Sequence, residues 1–325
     1  MQIHNKLVLL AGFFVVLFSL YSCSEDVSEL DRQATSVSSD RPQAKEPIQT
    51  PKKRALSTSN RKEPDCQKFS LKFLQANNEG KNDAQGSNNV IIFDPKSKEL
   101  DFKVSVALAH KIYAKDAKGK FRKEYIPKQF HEIIADDNAK LNGRSPMAAI
   151  NADYIDPQNK PQGLNISRGV EYSGAFKDKR SSFGISGGKP QERKATIQIG
   201  KRKEKILNYN LVGGNGRFYQ NGKFKDICAA LGEYACKQET SRSLVAITSK
   251  GYVILLVNNS NLNQALYPDQ FDDVLEGISN NYCLGKIQEG MLFDGGFSTA
   301  LYFDKRIYVE NSNPIGSVFL IYKTE

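Results

Sequence analysis

Short apolar runs bounded by polar and glycine-containing clusters recur from about residue 65 to the carboxyl end, a pattern typical of strands. A Ser249-Lys250-Gly251 cluster between two of these runs predicts a hairpin turn. The predicted strands are Phe69–Leu74, Val90–Phe93, Phe102–Tyr113, Ala195–Ile199, Ile206–Val212, Leu244–Thr248, Tyr252–Val257 and Ser317–Tyr322.

The apolar spacing of a helix occurs in two segments, Pro127–Asn138 and Pro268–Asn280. Each segment precedes an apolar run that ends in polar residues: Met147–Ile150 leads into Asn151, and Met291–Phe293 leads into Asp294. Ligand sites in α/β-type sheets tend to lie at strand ends, so these polar residues are candidates for one site. The predicted fold class is α+β, with strand-rich mixed sheets and a few packed helices.

The segment Met291–Phe303 places an acidic residue and two glycines between apolar runs. The first run stops at Asp294, Gly295 and Gly296 follow, and Ser298 leads into the second run. In one interpretation, glycines without a Cβ give a ligand open access to a carboxylate at a strand end. In the other, Asp-Gly between two apolar runs forms a short hairpin.

The amino end has the features of an export signal. Met1–Ser22 has a weakly basic start and an unbroken apolar core from Leu7 to Leu20, which is too short to span a bilayer. Ser22 immediately before Cys23, with Leu20 upstream, resembles the lipobox of bacterial lipoproteins. We therefore predict a lipidated Cys23 and an exported protein anchored in the cell envelope, at the outer membrane or the periplasmic face; secretion without a lipid is the alternative.

Residues 23–64 are rich in Ser, Gln, Pro and charged residues, with almost no large apolar side chains. Such a segment cannot bury enough surface to offset the entropy lost on ordering, which predicts a flexible tether. The folded domain is therefore predicted to span residues 65–325, which is long enough for a sizeable core.

Without the signal, 45 basic and 36 acidic residues remain, a net charge of about +9. This balance is compatible with a phosphorylated or polyanionic partner. No nucleic-acid-binding module is recognisable, so we predict no nucleic-acid partner, and we predict no cofactor. No ligand spacing demands a metal, which leaves open whether a divalent ion joins the site. The chain has only three histidines, so a Ser-His-Asp triad is not expected. One of them, His131, is predicted to lie on a helix surface.

Four cysteines follow Cys23, namely Cys66, Cys228, Cys236 and Cys283. In an exported protein an even number permits disulfides, and three connectivities are possible. Cys228 and Cys236 are close enough in sequence to close a small loop, which leaves Cys66 and Cys283 as the default second pair.

Four segments, taken in order, form a larger pattern: Ala149–Gly169 with Asn151 and Asp153, the glycine-rich Leu211–Lys223, Glu239–Val257 with Arg242, and the Asp294 segment. This pattern resembles the phosphodiester glycosidase family. The family has an Asn-Gly-Gly-Tyr-Phe-like stretch with a later Pro-x-Gly-Leu, a Gly-Gly-x-Pro-like turn, an Arg-Thr before a strand, and a closing Leu-Asp-Gly-Gly-Gly-Ser. The resemblance covers about Ile92 to the carboxyl end and implies that family's fold and its hydrolysis of sugar-1-phosphodiesters.

The chain departs from the family pattern at three places. Ala152-Asp153 stands where Gly-Gly is usual, Ser243 where Thr is favoured, and Phe297 where a third glycine is usual. Asp153 either adds a carboxylate near the expected site or caps a turn. Phe297 could narrow the pocket or stack on a sugar face, which bears on the substrate more than on the chemistry.

The chemistry of a sugar-1-phosphodiester determines what such a site must contain. The phosphate leaves without full protonation, because a phosphate monoester has its second pKa near about 6. The site needs a cation to hold the phosphate. It also needs a carboxylate that activates water, attacks the sugar or stabilises the oxocarbenium-like transition state. Arginine suits the first task because its planar fork meets two phosphate oxygens at once.

The predicted catalytic residues are Asp294 as the carboxylate, Arg242 as the phosphate-binding cation, and Asn151 as a hydrogen-bond partner for a sugar hydroxyl. The predicted substrate-binding residues are Asp153, Arg168, Arg217, Gly295, Gly296 and Ser298. Structural alternatives exist for several of them. Arg242 could pair with Glu239 or Asp294 to fix a loop, Asn151 could close a turn, and Arg168 and Arg217 could be peripheral.

These observations predict an envelope-anchored phosphodiester glycosidase that acts on a glycan with sugar-1-phosphate linkages and releases free sugar and a phosphomonoester. One alternative is a non-catalytic envelope lipoprotein that binds phosphorylated glycan or cell-wall polymer with the same pocket. Another is a different hydrolase on the same scaffold, since a shared fold does not fix the chemistry.

Overall fold

The computed structural model of the chain describes residues 64–108, 114–115, 121–122, 124–140, 144–173, 180–199, 209–228, 236–259 and 264–324. The predicted export signal, Cys23 and nearly all of the tether therefore lie outside the described residues. Within these ranges, the helices are too short or too polar to cross a membrane.

Strands make up most of the regular structure in the described ranges. The α-helices there are α1 (Phe130–Lys140) and α2 (Phe271–Asn281). The strands are β1 (Leu71–Ala76), β2 (Asn88–Phe93), β3 (Leu100–Val106), β4 (Ala114–Lys115), β5 (Phe121–Arg122), β6 (Ala148–Asn151), β7 (Asn165–Ser167), β8 (Val170–Ser173), β9 (Ser181–Ile185), β10 (Ala195–Ile199), β11 (Asn210–Gly213), β12 (Arg217–Gln220), β13 (Lys223–Phe224), β14 (Arg242–Thr248), β15 (Val253–Asn258), β16 (Ile287–Leu292), β17 (Ala300–Phe303), β18 (Arg306–Glu310) and β19 (Ser317–Lys323).

Three sheets carry the fold. The first sheet has seven strands in the order β1-β2-β15-β14-β16-β12-β13, the second has five in the order β18-β17-β6-β19-β3, and the third has five in the order β10-β9-β11-β7-β8. The strand pairs within them are antiparallel. The prediction of a strand-rich protein is confirmed. The prediction of mixed sheets is wrong, because the strand pairs in the described ranges are antiparallel, and the fold is mostly sheet rather than a balanced α+β arrangement.

A cluster of buried phenylalanines joins the three sheets. Phe93 of the first sheet lies 5.3 Å, between ring centroids, from Phe102 of the second. Phe183 of the third sheet lies 5.2 Å from Phe319 of the second and 6.3 Å from Phe293, which follows β16. Tilted and edge-to-face aromatic pairs add to the stabilisation that burial alone gives. This core holds the ends of strands from different sheets in fixed relative positions.

Each helix covers the outer face of one sheet. Phe271 and Ile278 on one side of α2 are buried with Leu244 and Leu256 of the first sheet. On α1, Phe130 and its neighbours Ile133 and Ile134 pack in the same way on Ala149, Val318 and Leu320 of the second sheet. Both helices were predicted from their apolar spacing, and His131 lies exposed on α1 as expected.

Every strand predicted in the sequence analysis overlaps an observed strand. The predicted strand Phe102–Tyr113 ends at Val106, and its residues 109–113 lie outside the described residues. Several short strands were not predicted, among them β7, β9 and β12. Ser181–Ile185, with two serines and a glycine, carries little strand propensity, so sheet pairing rather than local preference forms β9.

Both predicted disulfides are present. Cys66 is bonded to Cys283, with their Cα atoms 5.1 Å apart, and Cys228 is bonded to Cys236. The first bond connects the start of the described chain to the turn after α2. Disulfides of this kind persist in oxidising compartments, which agrees with the predicted export.

Candidate active site

The segment from Asp294 to Thr299 crosses between two sheets. Strand β16 before it belongs to the first sheet, and β17 after it belongs to the second. The two strands pair with other partners and not with each other, so the hairpin interpretation of Asp294-Gly295 is wrong. The crossing segment instead brings an acidic residue to the junction of the sheets.

The backbone of Asp294 is fixed by the end of β6. Its N–H donates to the carbonyl of Ala152 over 2.8 Å, and its own carbonyl accepts from Nδ2 of Asn151 over 2.7 Å. The strand ends after α1 and α2 therefore meet as predicted, although they belong to different antiparallel sheets.

Asn151 is buried and its amide contacts protein groups at both ends. Besides the bond to Asp294, its Oδ1 accepts from the Ser243 hydroxyl over 2.7 Å and from the Ala300 N–H over 3.0 Å. This arrangement matches the structural alternative for Asn151, in which it fixes the turn rather than a sugar hydroxyl. Ser243, at a position where the family favours threonine, still supplies the hydroxyl that the network needs.

The Asp294 carboxyl is partly buried, and desolvation raises its pKa from 3.8 to about 7. The charge of Asp153 contributes to this rise. Three groups oppose it: the Ser298 hydroxyl and the Gly295 N–H, which donate hydrogen bonds, and the charged Arg180. A carboxyl group with a pKa near neutrality can exchange a proton at the working pH, which suits general acid–base catalysis.

Asp153 is a second, deeply buried carboxylate, with 1% of its surface exposed. It accepts hydrogen bonds from the Gly163 N–H over 2.7 Å, from Nδ2 of Asn165 over 2.6 Å and from the Tyr154 N–H over 2.9 Å. Desolvation still raises its pKa to about 6. A Cβ on Gly213 would lie 2.5 Å from the carboxyl carbon, so this acid fits only because glycine faces it.

Tyr154 connects the charged groups of the site. Its hydroxyl donates to the carbonyl of Phe293 over 3.1 Å, and Asn215 hydrogen-bonds to the phenol oxygen. Burial, followed by the charge of Asp294, raises the phenol pKa to about 12, while the charges of Arg180 and Arg242 lower it. Tyr154 therefore stays protonated and lies within electrostatic reach of one acid and two guanidinium groups.

Arg242 begins β14 and has 7% of its surface exposed. Leu244 pairs with Leu292, and the Phe293 N–H donates to the Ser243 carbonyl over 2.9 Å. Arg242 and Asp294 are therefore each adjacent in sequence to a residue of this hydrogen-bonded pair, and both act electrostatically on Tyr154. Burial lowers the pKa of the guanidinium, and the neighbouring Tyr154 and Tyr267 raise it.

The structure places Arg168 and Arg217 in ion pairs outside this cluster. Arg168 binds the carboxylate of Asp101 over 2.6 Å, and Arg217 pairs with Glu289. On β19, Val318 lies opposite Asn151 and Tyr322 lies opposite Asp101. These two positions are four residues apart along the strand, so Asp101 and Asn151 are separated by about 13 Å at the rise of an antiparallel strand. Arg168 therefore fits the alternative in which it is peripheral to the site. Among the described residues, no contact joins Arg217 to Asp294.

The backbone around Gly296 shapes the crossing segment. Gly296 has φ +60°, its N–H donates to the Ser241 carbonyl over 2.8 Å, and its carbonyl accepts from the Asn311 side chain. Phe297 follows with 69% of its surface exposed, and its carbonyl accepts from the Asn313 N–H over 2.9 Å. Ser298 is buried and hydrogen-bonds to the Asp294 carboxyl group, so it lies at the site with the glycines. The substrate contacts predicted for these three residues stay predictions.

Three residues of the cluster were not predicted: Tyr154, Arg180 and Asn215. Tyr154 occupies the tyrosine position of the family's Asn-Gly-Gly-Tyr-Phe-like stretch, so the sequence did contain a signal for it. Asn215 lies in the Gly-Gly-Asn-Gly stretch before β12. Arg180 ends a basic Lys-Asp-Lys-Arg cluster that is typical of a solvated surface, and no local signal separates it from its neighbours.

The candidate site thus holds two acids, two arginines and a tyrosine at the junction of antiparallel sheets. The sequence model of the phosphodiester glycosidase family matches residues 145–322, which include all of these residues. The chain therefore belongs to the phosphodiester glycosidase family. Among curated proteins, no sequence matches it.

Three solved structures are similar to the chain at TM-scores below 0.5. A hypothetical protein from Synechocystis has a TM-score of 0.49 and 13% identity, over 78% of this chain and 61% of that one, so this chain spans less than two thirds of that protein. The catalytic domain of zebrafish N-acetylglucosamine-1-phosphodiester alpha-N-acetylglucosaminidase, auto-inhibited by its pro-peptide, has a TM-score of 0.48 and 12% identity, over 79% of this chain and 89% of that one. A putative exported protein from Burkholderia pseudomallei K96243 has a TM-score of 0.44 and 8% identity, over 72% and 73%. The family assignment rests on the sequence match.

Proposed function

We propose that the protein hydrolyses the glycosidic bond of sugar-1-phosphodiesters in an envelope or extracellular glycan. Water attacks the anomeric carbon, the bond from that carbon to the phosphate oxygen breaks, and the electron pair of that bond leaves with the phosphate. The products are the free sugar and a phosphomonoester. The proposal is supported by the family membership and by the site residues that the matched region contains.

The observation that carries the proposal is that Asp294 and Arg242 both act electrostatically on the phenol of Tyr154 at the sheet junction. In this proposal Arg242 holds the phosphate, because its guanidinium can bond two phosphate oxygens at once. Asp294 takes the proton of the attacking water or stabilises the positive charge that develops on the sugar ring. Asn151 and Ser243 hold the Asp294 backbone in place, and Ser298 orients its carboxyl group.

The proposed location is the cell envelope, with the chain exported by Met1–Ser22 and anchored through a lipid on Cys23. The features that support this location are the apolar core of the signal, the residues around Cys23 and the two disulfides. The tether would then let the catalytic domain reach a polymeric glycan near the membrane. The excess of basic residues is compatible with a phosphorylated polymer.

The test is to incubate the protein lacking its signal and Cys23 with a panel of sugar-1-phosphodiesters and to measure free sugar and phosphomonoester separately. Equal amounts of both products are expected, because each cleavage releases one of each. Phosphomonoester and diester-derived alcohol without free sugar would instead indicate a phosphodiesterase. Saturable binding of the panel without turnover would favour the alternative of a non-catalytic envelope lipoprotein that binds phosphorylated glycan.

A further inference from the structure

Arg180 lies immediately before β9, outside the four segments from which the family resemblance was recognised. Its guanidinium carbon is 4.5 Å from the centroid of the Tyr154 ring, a cation–π distance. Tyr154 follows Asp153 directly and donates to the carbonyl that precedes Asp294. The third sheet therefore contributes a cation to a site otherwise built from the first and second sheets.

The Arg180 guanidinium has unused hydrogen-bonding capacity. Its Nη1 is shielded from water and has no hydrogen-bond partner among the described residues. By contrast, Arg168 and Arg217 each bind a carboxylate. A desolvated guanidinium nitrogen without an acceptor is unfavourable. The partly exposed Arg180 side chain therefore gains if it turns to offer this nitrogen to an oxygen of a bound anion.

The charges around Arg180 show which kind of anion fits. Arg180 lowers the pKa of both Asp153 and Asp294, so its positive charge reaches both acids, yet the described residues hold no ion pair between it and either one. A single guanidinium next to two acids would attract an added anion weakly. With Arg242 also acting on Tyr154, the site contains two guanidinium groups, which suits a phosphate that presents several acceptor oxygens.

We propose that Arg180 is a second phosphate-binding residue, which together with Arg242 holds the phosphate of a sugar phosphate beside Tyr154. In this arrangement one guanidinium approaches the phosphate from the end of the first sheet and the other from the third sheet. Substrates whose phosphate carries a bulky alcohol must then fit between the two arginines. The inference rests on the proposed function for its substrate, but phosphate binding can be measured without any turnover.

The experiment compares Arg180→Ala and Arg180→Lys with an Arg306→Ala control. Arg306 also lies over a tyrosine ring, 4.8 Å from the centroid of Tyr308, but it is distant in the chain from the residues of the site. Calorimetry with methyl phosphate as the probe should show binding about 10-fold to 100-fold weaker for Arg180→Ala. Arg180→Lys should recover part of the loss, since it keeps the charge but not the fork. The control should bind like the unmodified protein.

Kinetics give a second readout that a merely structural role would not reproduce. Arg180→Ala should raise KM for a sugar-1-phosphodiester much more than KM for an uncharged aryl glycoside of the same sugar. Thermal unfolding checks that each variant is folded. Equal losses on the two substrates, or unchanged methyl phosphate affinity in a folded Arg180→Ala variant, would overturn the inference.

The outcomes separate this inference from the proposed function. Arg180-dependent binding of methyl phosphate by a protein that cleaves no sugar-1-phosphodiester would support the phosphate site and contradict the glycosidase. Cleavage that is unaffected by Arg180→Ala, with unchanged KM, would support the glycosidase and contradict the second phosphate-binding residue.

Discussion

Two groups of arginines in this protein show how location determines what a cation can do. Arg168 and Arg217 each pair with a carboxylate, at Asp101 and Glu289. Arg180 and Arg242 instead both act on Tyr154, next to acids whose pKa values are raised. A guanidinium that already binds a carboxylate has less charge to offer to a ligand. The two pairs of arginines thus differ in their surroundings, with carboxylates beside Arg168 and Arg217 and a tyrosine beside Arg180 and Arg242.

The most severe test of this comparison is Asp294→Asn. The variant keeps the shape and the backbone bonds of Asp294 but removes the carboxylate, so sugar release should fall by about 10³-fold or more. The measurement is initial rate on a sugar-1-phosphodiester, with circular dichroism to verify the fold. Asp273→Asn, at an exposed position on α2, is the matched control. An unchanged rate would remove Asp294 from the mechanism.

Arg242→Ala should have the next largest effect. If Arg242 binds the phosphate, kcat/KM for a sugar-1-phosphodiester should fall by about 100-fold, and the loss on an aryl glycoside of the same sugar should be about tenfold smaller. Arg193→Ala is a suitable control, because both side chains are desolvated and both donate to a backbone carbonyl, Arg242 to that of Gln238 and Arg193 to that of Leu100. Equal losses on both substrates would show that Arg242 serves the fold and not the phosphate.

The pH dependence tests the electrostatics of the same region. If Asp294 acts in its ionised form, kcat/KM should rise about tenfold between about pH 6 and pH 8, because a group with a pKa of about 7 becomes ionised over this interval. The groups that face it are Asp153, Arg180, Ser298 and Tyr154. A rate that falls over this interval would instead assign Asp294 the role of a proton donor.

Stability should change in the opposite direction over the same interval. An acid whose pKa is raised on folding binds its proton more tightly in the folded state, so its contribution is complete below about pH 4 and is lost as the pH rises through about 7. Asp294→Asn should therefore gain free energy of unfolding relative to the unmodified protein, by roughly 1 to 4 kcal/mol more at pH 8 than at pH 4. Denaturant titrations at both pH values measure this difference.

Asn151→Ala is expected to have a smaller effect on turnover. It removes the bond to the Asp294 carbonyl and leaves the buried Ser243 hydroxyl without its acceptor, so we expect a loss of about 2 kcal/mol in stability and a severalfold drop in kcat. Ser243→Thr, which keeps the hydroxyl, should be nearly neutral. A large rise in KM with unchanged kcat would instead favour the predicted contact of Asn151 with a sugar hydroxyl.

The smallest effect is expected for Arg168→Ala. Its guanidinium binds Asp101 and its backbone N–H bonds Asn210, so kcat/KM should stay within about twofold. The same assays as for Arg242→Ala apply. A loss comparable to that of Arg242→Ala would restore Arg168 as a substrate-binding residue and erase the distinction between the two groups of arginines.

Much of the fold and part of the site could be predicted from sequence. The helices and the longer strands have clear apolar periodicity, and the cysteine spacing predicted both disulfides. Asp294, Arg242 and Asp153 were predicted from strand ends and the family pattern, and the structure brings them together. Arg180 could not be predicted, because an arginine after lysines carries no sign of the ring or the acids that it faces.

The sequence by itself determined both helices, the longer strands and which acid ends a buried run, because side-chain periodicity and glycine placement are local properties. It left open whether Asp294-Gly295 turned back as a hairpin or crossed to another sheet, since both conformations suit the same residues. Only the tertiary structure decided this, together with which arginines find carboxylates and which meet at Tyr154. Those outcomes depend on contacts between segments far apart in the chain, which local preferences do not encode.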